Sequence, residues 1–159
     1  MTPDGQHNAS HSMATIFDPI SYFDGRFYAH GVFIDRSKQI RRRFTADIFA
    51  HATGNKTDIT ESFKFDDGET EQRIWTLTRL SETRIEGVTE DLSGKAIGMI
   101  NGPALHMRYD FFLNISGRRI KFAFDDMMIC QDQDHLLNKA RISKFGFYIG
   151  ELVISFTRV

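Results

Sequence analysis

The chain contains a single cysteine, Cys130, so no intramolecular disulfide can hold it together. It has only three prolines, and none falls between Pro19 and Pro103, which leaves a long stretch free for uninterrupted strands. No run approaches the roughly 20 apolar residues of a membrane-spanning helix, so no transmembrane segment is expected. Charge of one sign is also missing: 20 Lys and Arg stand against 21 Asp and Glu, for a net charge of -1. No global field therefore favours a polyanion, and nucleic acid is not an expected partner. The N-terminus lacks a basic stretch followed by an apolar one, so no signal peptide is expected, and the expected location is cytoplasmic, with a periplasmic or membrane-associated one left open. The Gly-rich stretches lack the Lys-Ser/Thr ending of a phosphate loop. His30, His51, His106 and His135 are scattered, and His7 and His11 have a spacing that suits a metal only on a helix. Neither a metal nor another cofactor is expected. Cys130 has no basic neighbour to make it a thiolate and reads as inert.

What the chain does have is aromatic and aliphatic residues in alternation. With 15 Phe in 159 residues it is long enough to bury a core as one domain. Residues 1–15, polar and carrying Pro3 and Gly5, read as a disordered extension in which Met13 is an alternative start; 16–159 reads as a single domain. Past a short helical turn at Asp18 to Phe23, apolar and polar residues alternate, with turn residues about every ten. The expected strands are Phe27 to Asp35, Ile40 to Ala52, Thr57 to Phe65, Glu69 to Leu80 and Thr83 to Thr89. They continue with Lys95 to Asn101, Leu105 to Ile115, Arg118 to Ile129, Leu136 to Lys144 and Phe147 to Arg158. About ten antiparallel strands, each with one apolar face and no helices to cover a sheet, are most simply satisfied by a closed up-and-down β-barrel. A β-sandwich is the runner-up.

Two hairpins fix their own register. A three-residue loop, Asp66-Asp67-Gly68, with Gly68 left-handed, pairs Phe65 with Glu69, Glu61 with Arg73 and Ile59 with Trp75, so that the apolar faces agree. A two-residue turn at Ser116-Gly117 pairs Leu113 with Ile120, Phe111 with Phe122, Tyr109 with Phe124 and Met107 with Asp126. Gly94, Gly98 and Gly102 recur within one strand region and read as places where that strand bends or bulges.

These registers nominate inward residues. Glu61 and Arg73 arrive on the apolar face as opposed charges, costly to bury unless paired, and Arg offers a planar fork for carboxylate or phosphate. Trp75, Tyr109, Phe111 and Phe124 are inward aromatics of the kind that line pockets. Asp125 and Asp126 point to opposite sides and cannot share a proton; Asp126 reads as a strand-end residue capping its turn, or as a lone acid or base beside Glu61. Asn138 shares a face with Leu136 and Ala140 and needs a hydrogen-bond partner there. Arg41-Arg42-Arg43 reads as a solvated strand start.

From Tyr22 to Arg158 the chain resembles a bacterial domain-of-unknown-function family with a lipocalin-like fold. The resemblance is carried by Tyr22-Phe23-Asp24-Gly25, Gly31-Val32-Phe33, Arg42-Arg43-Phe44, Glu61-Ser62-Phe63, Arg73-Ile74-Trp75, Gly94 to Gly98, Phe124 to Met128, Asn138-Lys139-Ala140, Lys144 to Phe147 and Gly150-Glu151. Many members look like exported lipoproteins with an acylated N-terminal Cys; this chain departs from them in having no Cys near its start. The resemblance implies a lipocalin-like barrel and no particular activity. The leading expectation is a barrel that binds a small hydrophobic or lipid-like ligand. Trp75, Tyr109, Phe111 and Phe124 would line it, Arg73 would meet an anionic head, and Glu61 would orient Arg73 in the empty state. Two other readings stand beside it: an isomerase- or cyclase-like enzyme using inward carboxylates, and a filled-core module acting through its surface. Nothing in the sequence indicates an oligomeric state.

Overall fold

The computed structural model describes residues 16–159, so the expected N-terminal extension, with His7, His11 and Met13, lies outside the described residues. A short helix, α1 (Pro19–Tyr22), precedes ten strands: β1 (Gly25–Asp35), β2 (Ile40–Thr53), β3 (Lys56–Phe65), β4 (Thr70–Arg79), β5 (Arg84–Val88), β6 (Leu92–Asn101), β7 (Ala104–Ile115), β8 (Arg118–Cys130), β9 (His135–Lys144) and β10 (Phe147–Arg158). Each pairs antiparallel with its neighbours in sequence, and β1 pairs with β10, closing a lipocalin-like up-and-down barrel.

Both hairpins take the expected register. Glu61 lies opposite Arg73 and Ile59 opposite Trp75, while Phe65 N donates to Glu69 O at 2.9 Å and Gly68 has φ 87°. Ser116 and Gly117 both have positive φ, 50° and 77°, as a two-residue turn between twisted strands requires, and Tyr109 faces Phe124. Gly94, with φ 83°, sits in the β6 register shift between Ser93 and Ile97, which is the irregularity its glycines suggested.

The two ends of the barrel differ. At the end where β1 begins, Asp18 caps α1 by accepting from Ile20 N at 3.1 Å, and Phe17, Ile20 and Phe23 are driven into the barrel. Arg158 latches this plug: its guanidinium donates to Tyr22 O (2.9 Å), Asp24 O (3.1 Å) and Gln133 O (2.9 Å) while lying over the Phe27 ring at 4.4 Å. Behind it, Phe27, Ile85, Leu105 and Leu136 are fully buried, so this half is filled. Burial of each such side chain contributes about 1.5–3 kcal/mol. Toward the opposite end, Phe44, Glu61, Phe65, Trp75, Tyr109 and Asp126 face inward yet keep accessible surface. The rim of that half is made by the β1–β2, β3–β4, β5–β6, β7–β8 and β9–β10 turns.

Candidate functional site

All eight nominated residues, Glu61, Arg73, Trp75, Tyr109, Phe111, Phe124, Asp126 and Asn138, project from the inner face of β3, β4, β7, β8 and β9, as strand alternation requires. Four of them make one aromatic wall. Tyr109 stacks on Phe124 with centroids 5.4 Å apart, Trp75 meets Tyr109 edge-on at 5.7 Å, and Phe111 contacts Phe124 at 5.4 Å and Trp75 at 6.4 Å. Such pairs add to stability beyond the area they bury.

A polar chain runs beside this wall. Tyr109 Oη donates to Asp126 Oδ2 at 2.6 Å, and Asn138 Nδ2 donates to Asp126 Oδ1 and to Met127 O (3.1 Å). This corrects the turn-capping reading of Asp126. The strand continues four residues past it to Cys130, and the turn beyond is capped by Asp132, which accepts from Asp134 N and His135 N, both at 2.8 Å. Burial raises the Asp126 carboxyl above its ordinary range, against the bonds from Tyr109 and Asn138 that lower it. The Tyr109 phenol is pushed well above its ordinary value, first by burial and then by the charge of Asp126. Outside the wall, Asp125 takes the opposite face and pairs with His106 and with Arg108 Nε (3.5 Å).

Glu61 and Arg73 are opposed in register but do not form the expected ion pair. Arg73 Nη2 turns instead to Glu71 Oε1 (2.7 Å) and Asp91 Oδ2 (3.9 Å), with its guanidinium over Phe111 at 4.6 Å and its buried Nε without an acceptor. Glu71 shares a strand face with Arg73 two residues away, and Asp91 reaches it from the β5–β6 turn, so Arg73 is neutralised from the rim. Glu61 is therefore left to burial, which pushes its carboxyl up to about 7; Arg73 works against the shift, and Asp126 and Glu71 add to it. Arg73 is thus already engaged, while the Glu61 and Asp126 carboxyls have no cation in contact. The expected orienting role of Glu61 toward Arg73 does not hold.

One inward residue went unrecognised in the sequence. Arg42 lies on the same face as Phe44, Ala46 and Ile48, with its guanidinium 3.5 Å from the Phe65 ring and Nη2 on Glu69 (2.7 Å) and Asp67 (3.1 Å). Its spacing from Phe44 was the available signal; reading the three arginines as one solvated run hid it. Phe65 stacks in turn on Phe63, centroids 6.0 Å apart, and Phe63 lies under Arg73 at 5.5 Å, so the two arginines bracket one stacked pair of rings. A groove of about 620 Å³ is lined by His30, Val32, Arg43, Lys64, Asp66 and Val153 together with Phe44 and Phe65, and by none of the eight nominated residues.

A family model described as "Protein of unknown function (DUF3833)" matches residues 5–158. Comparison with curated proteins finds no match. Among solved structures, the chain is similar to the S-type phycobiliprotein lyase CPES from Guillardia theta (TM-score 0.67, 8% identity, covering 88% of this chain and 90% of that one). It is also similar to Rv2717c from M. tuberculosis (TM-score 0.65, 15% identity, 87% and 94%). A de novo designed fluorescence-activating β-barrel matches at TM-score 0.51 with 11% identity, over 91% of this chain and all of that one. At these identities the likeness is one of fold.

Proposed function

The chain belongs to the DUF3833 family, whose description assigns no activity, and we propose from the barrel itself that it binds a small, largely apolar, lipid-like molecule in the open half. The observation that carries this reading is the contrast along the barrel axis. Side chains behind α1 are fully buried, and in the other half Phe63, Phe111 and Phe124 are buried too, whereas Trp75 and Tyr109 keep accessible surface although they face inward. An aromatic wall with a few convergent polar groups is the usual composition of a small-molecule site. The head group is best read from the charges. A ligand carboxylate at Arg73 would meet Glu71 and Asp91 already in place and Glu61 nearby, so an uncharged, hydrogen-bonding head such as a hydroxyl is favoured over the anionic head first expected.

The test uses Trp75, the only tryptophan, as reporter. Nile red is bound, then displaced by decanol or by decanoate, with Trp75 emission followed in parallel. Decanol is expected to displace the dye at least about tenfold more effectively than decanoate, a difference of about 1.4 kcal/mol. Failure of both to displace it, or of Nile red to bind, would reject the carrier reading; tighter binding of decanoate would restore the anionic head.

One observation favours a second reading, an isomerase- or cyclase-like enzyme: the Glu61 carboxyl, unpaired and raised to about 7, lies where a proton-transfer group needs to be poised. A bound ligand that exchanges a carbon-bound hydrogen in D₂O with the native protein, and not with Glu61→Gln, would favour it.

A further inference from the structure

Two adjacent rim turns are rich in cations, as is the β1–β2 turn beside them, where Arg36 and Lys38 also make no salt bridge among the described residues. Residues 111–124, around the β7–β8 turn, and 141–150, around the β9–β10 turn, contain Arg118, Arg119, Lys121, Arg141 and Lys144 and no Asp or Glu, in a chain of net charge -1. The two tips are tied together, since Lys144 Nζ donates to Lys121 O at 2.6 Å. Among the described residues these five cations make no salt bridge, whereas Arg41, Arg42, Arg43, Arg73 and Arg79 are all paired. Across the rim the carboxylates of Asp66, Asp67, Glu69 and Asp91 are compensated by Arg43, Arg42 and Arg73.

The basic side also carries the most exposed aromatics. Phe145 is 87% exposed and Phe147 70%, with Ile115 at 45% on the neighbouring tip. Phe145 has φ 52°, in the first position of a two-residue turn where Asn, Asp or Gly is preferred and a bulky side chain is an outlier. A large apolar ring held in that conformation, out of contact with the core, points to a role outside the fold. Lys144 Nζ lies 4.5 Å from the Phe145 ring, placing cation and ring at the same level of the tip.

We propose that this side of the rim docks onto an anionic lipid surface, with Phe145 and Phe147 entering the headgroup layer and Arg118, Arg119, Lys121 and Lys144 contacting its phosphates, while Arg141, set lower between Asp125 and Glu151, stays outside the contact. Aromatic rings at the headgroup level combined with juxtaposed cations are the ingredients of interfacial binding. The cationic surroundings select a charged bilayer over an apolar protein groove. The patch rests on its own geometry, independent of what the barrel holds.

The experiment is flotation of the full chain with vesicles of phosphatidylcholine alone or mixed with phosphatidylglycerol, at low and high NaCl. Binding is expected only to the mixed vesicles, and to fall about tenfold or more at high salt, where the Debye length shrinks to a few ångströms. Phe145→Gly combined with Phe147→Ser should lower it about tenfold with charge unchanged, and glycine suits the positive φ, so folding is spared. Arg119→Glu with Lys144→Glu should abolish it. No flotation at low salt, equal flotation on phosphatidylcholine alone, or unchanged binding by the Phe145/Phe147 variant each overturns the proposal, even if the patch then retains an acidic protein. Dye displacement without vesicles tests the barrel separately, so the two readings fail independently.

Discussion

Tyr109 Oη donates a 2.6 Å hydrogen bond to Asp126 Oδ2, joining β7 to β8 through their side chains inside the barrel in addition to their backbone ladder. The bond favours the ionised carboxylate, which burial opposes. Tyr109→Phe leaves Asp126 with Asn138 as its remaining side-chain donor and should cost about 1–3 kcal/mol at pH 7, the range for losing a hydrogen bond to a charged group. At pH 4, where the upward shift leaves Asp126 more fully protonated than an ordinary aspartate, the cost should be smaller. Urea unfolding at both pH values measures it, and equal losses would contradict the ionised assignment.

Glu61 gives the fold a pH dependence of opposite sense to ordinary acid denaturation. Its folded carboxyl, at about 7, lies above the unfolded value of 4.5, so the folded state holds the proton more tightly between the two. Stability from this group is complete below about pH 4.5 and is lost as pH rises toward 7, by about 1–3 kcal/mol after allowance for its partial exposure. Glu61→Gln should flatten the thermal midpoint between pH 5 and 8. A native midpoint that rises over that range would refute the shift.

Arg158 holds the α1 plug by three backbone carbonyls and the Phe27 ring. Arg158→Ala should destabilise by about 2–4 kcal/mol, since hydrogen bonds to charged donors are worth about 1.5–3 kcal/mol and the ring loses a partner. Arg158→Lys should restore little of it, because an ammonium cannot reach three carbonyls in a planar fan. Guanidinium melts of both variants check this, with amide exchange at Phe23 and Phe27 reporting whether the plug loosens first.

The barrel and its hairpin registers were legible because they are backbone properties. The positions of Gly68 and Gly117 select turn lengths, and only one length puts Phe63, Trp75 and Phe111 on a common side. The partners of long or diagonal side chains were not legible. Arg73 chooses among Glu61, Glu71 and Asp91, and Asp91 reaches it only through the β5–β6 turn, which nothing in local spacing reveals. Asn138 meets Asp126 diagonally, because β9 is set against β8 with Met128 opposite Asn138, a register fixed by the turn that Asp132 caps. Arg42 was misread for a different reason: two neighbours of the same charge masked an alternation that Phe44 and Ala46 continue.

The seam between β1 and β10 runs from Phe27 opposite Arg158 to Asp35 opposite Gly150, joining the two strands of the barrel farthest apart in sequence. Until β10 leaves the ribosome, β1 waits with one row of amides and carbonyls unanswered, and β9 waits with another. Loss of β10 to a frameshift or a protease would therefore do more than shorten the molecule. It would leave two strands with open edges able to recruit neighbouring chains.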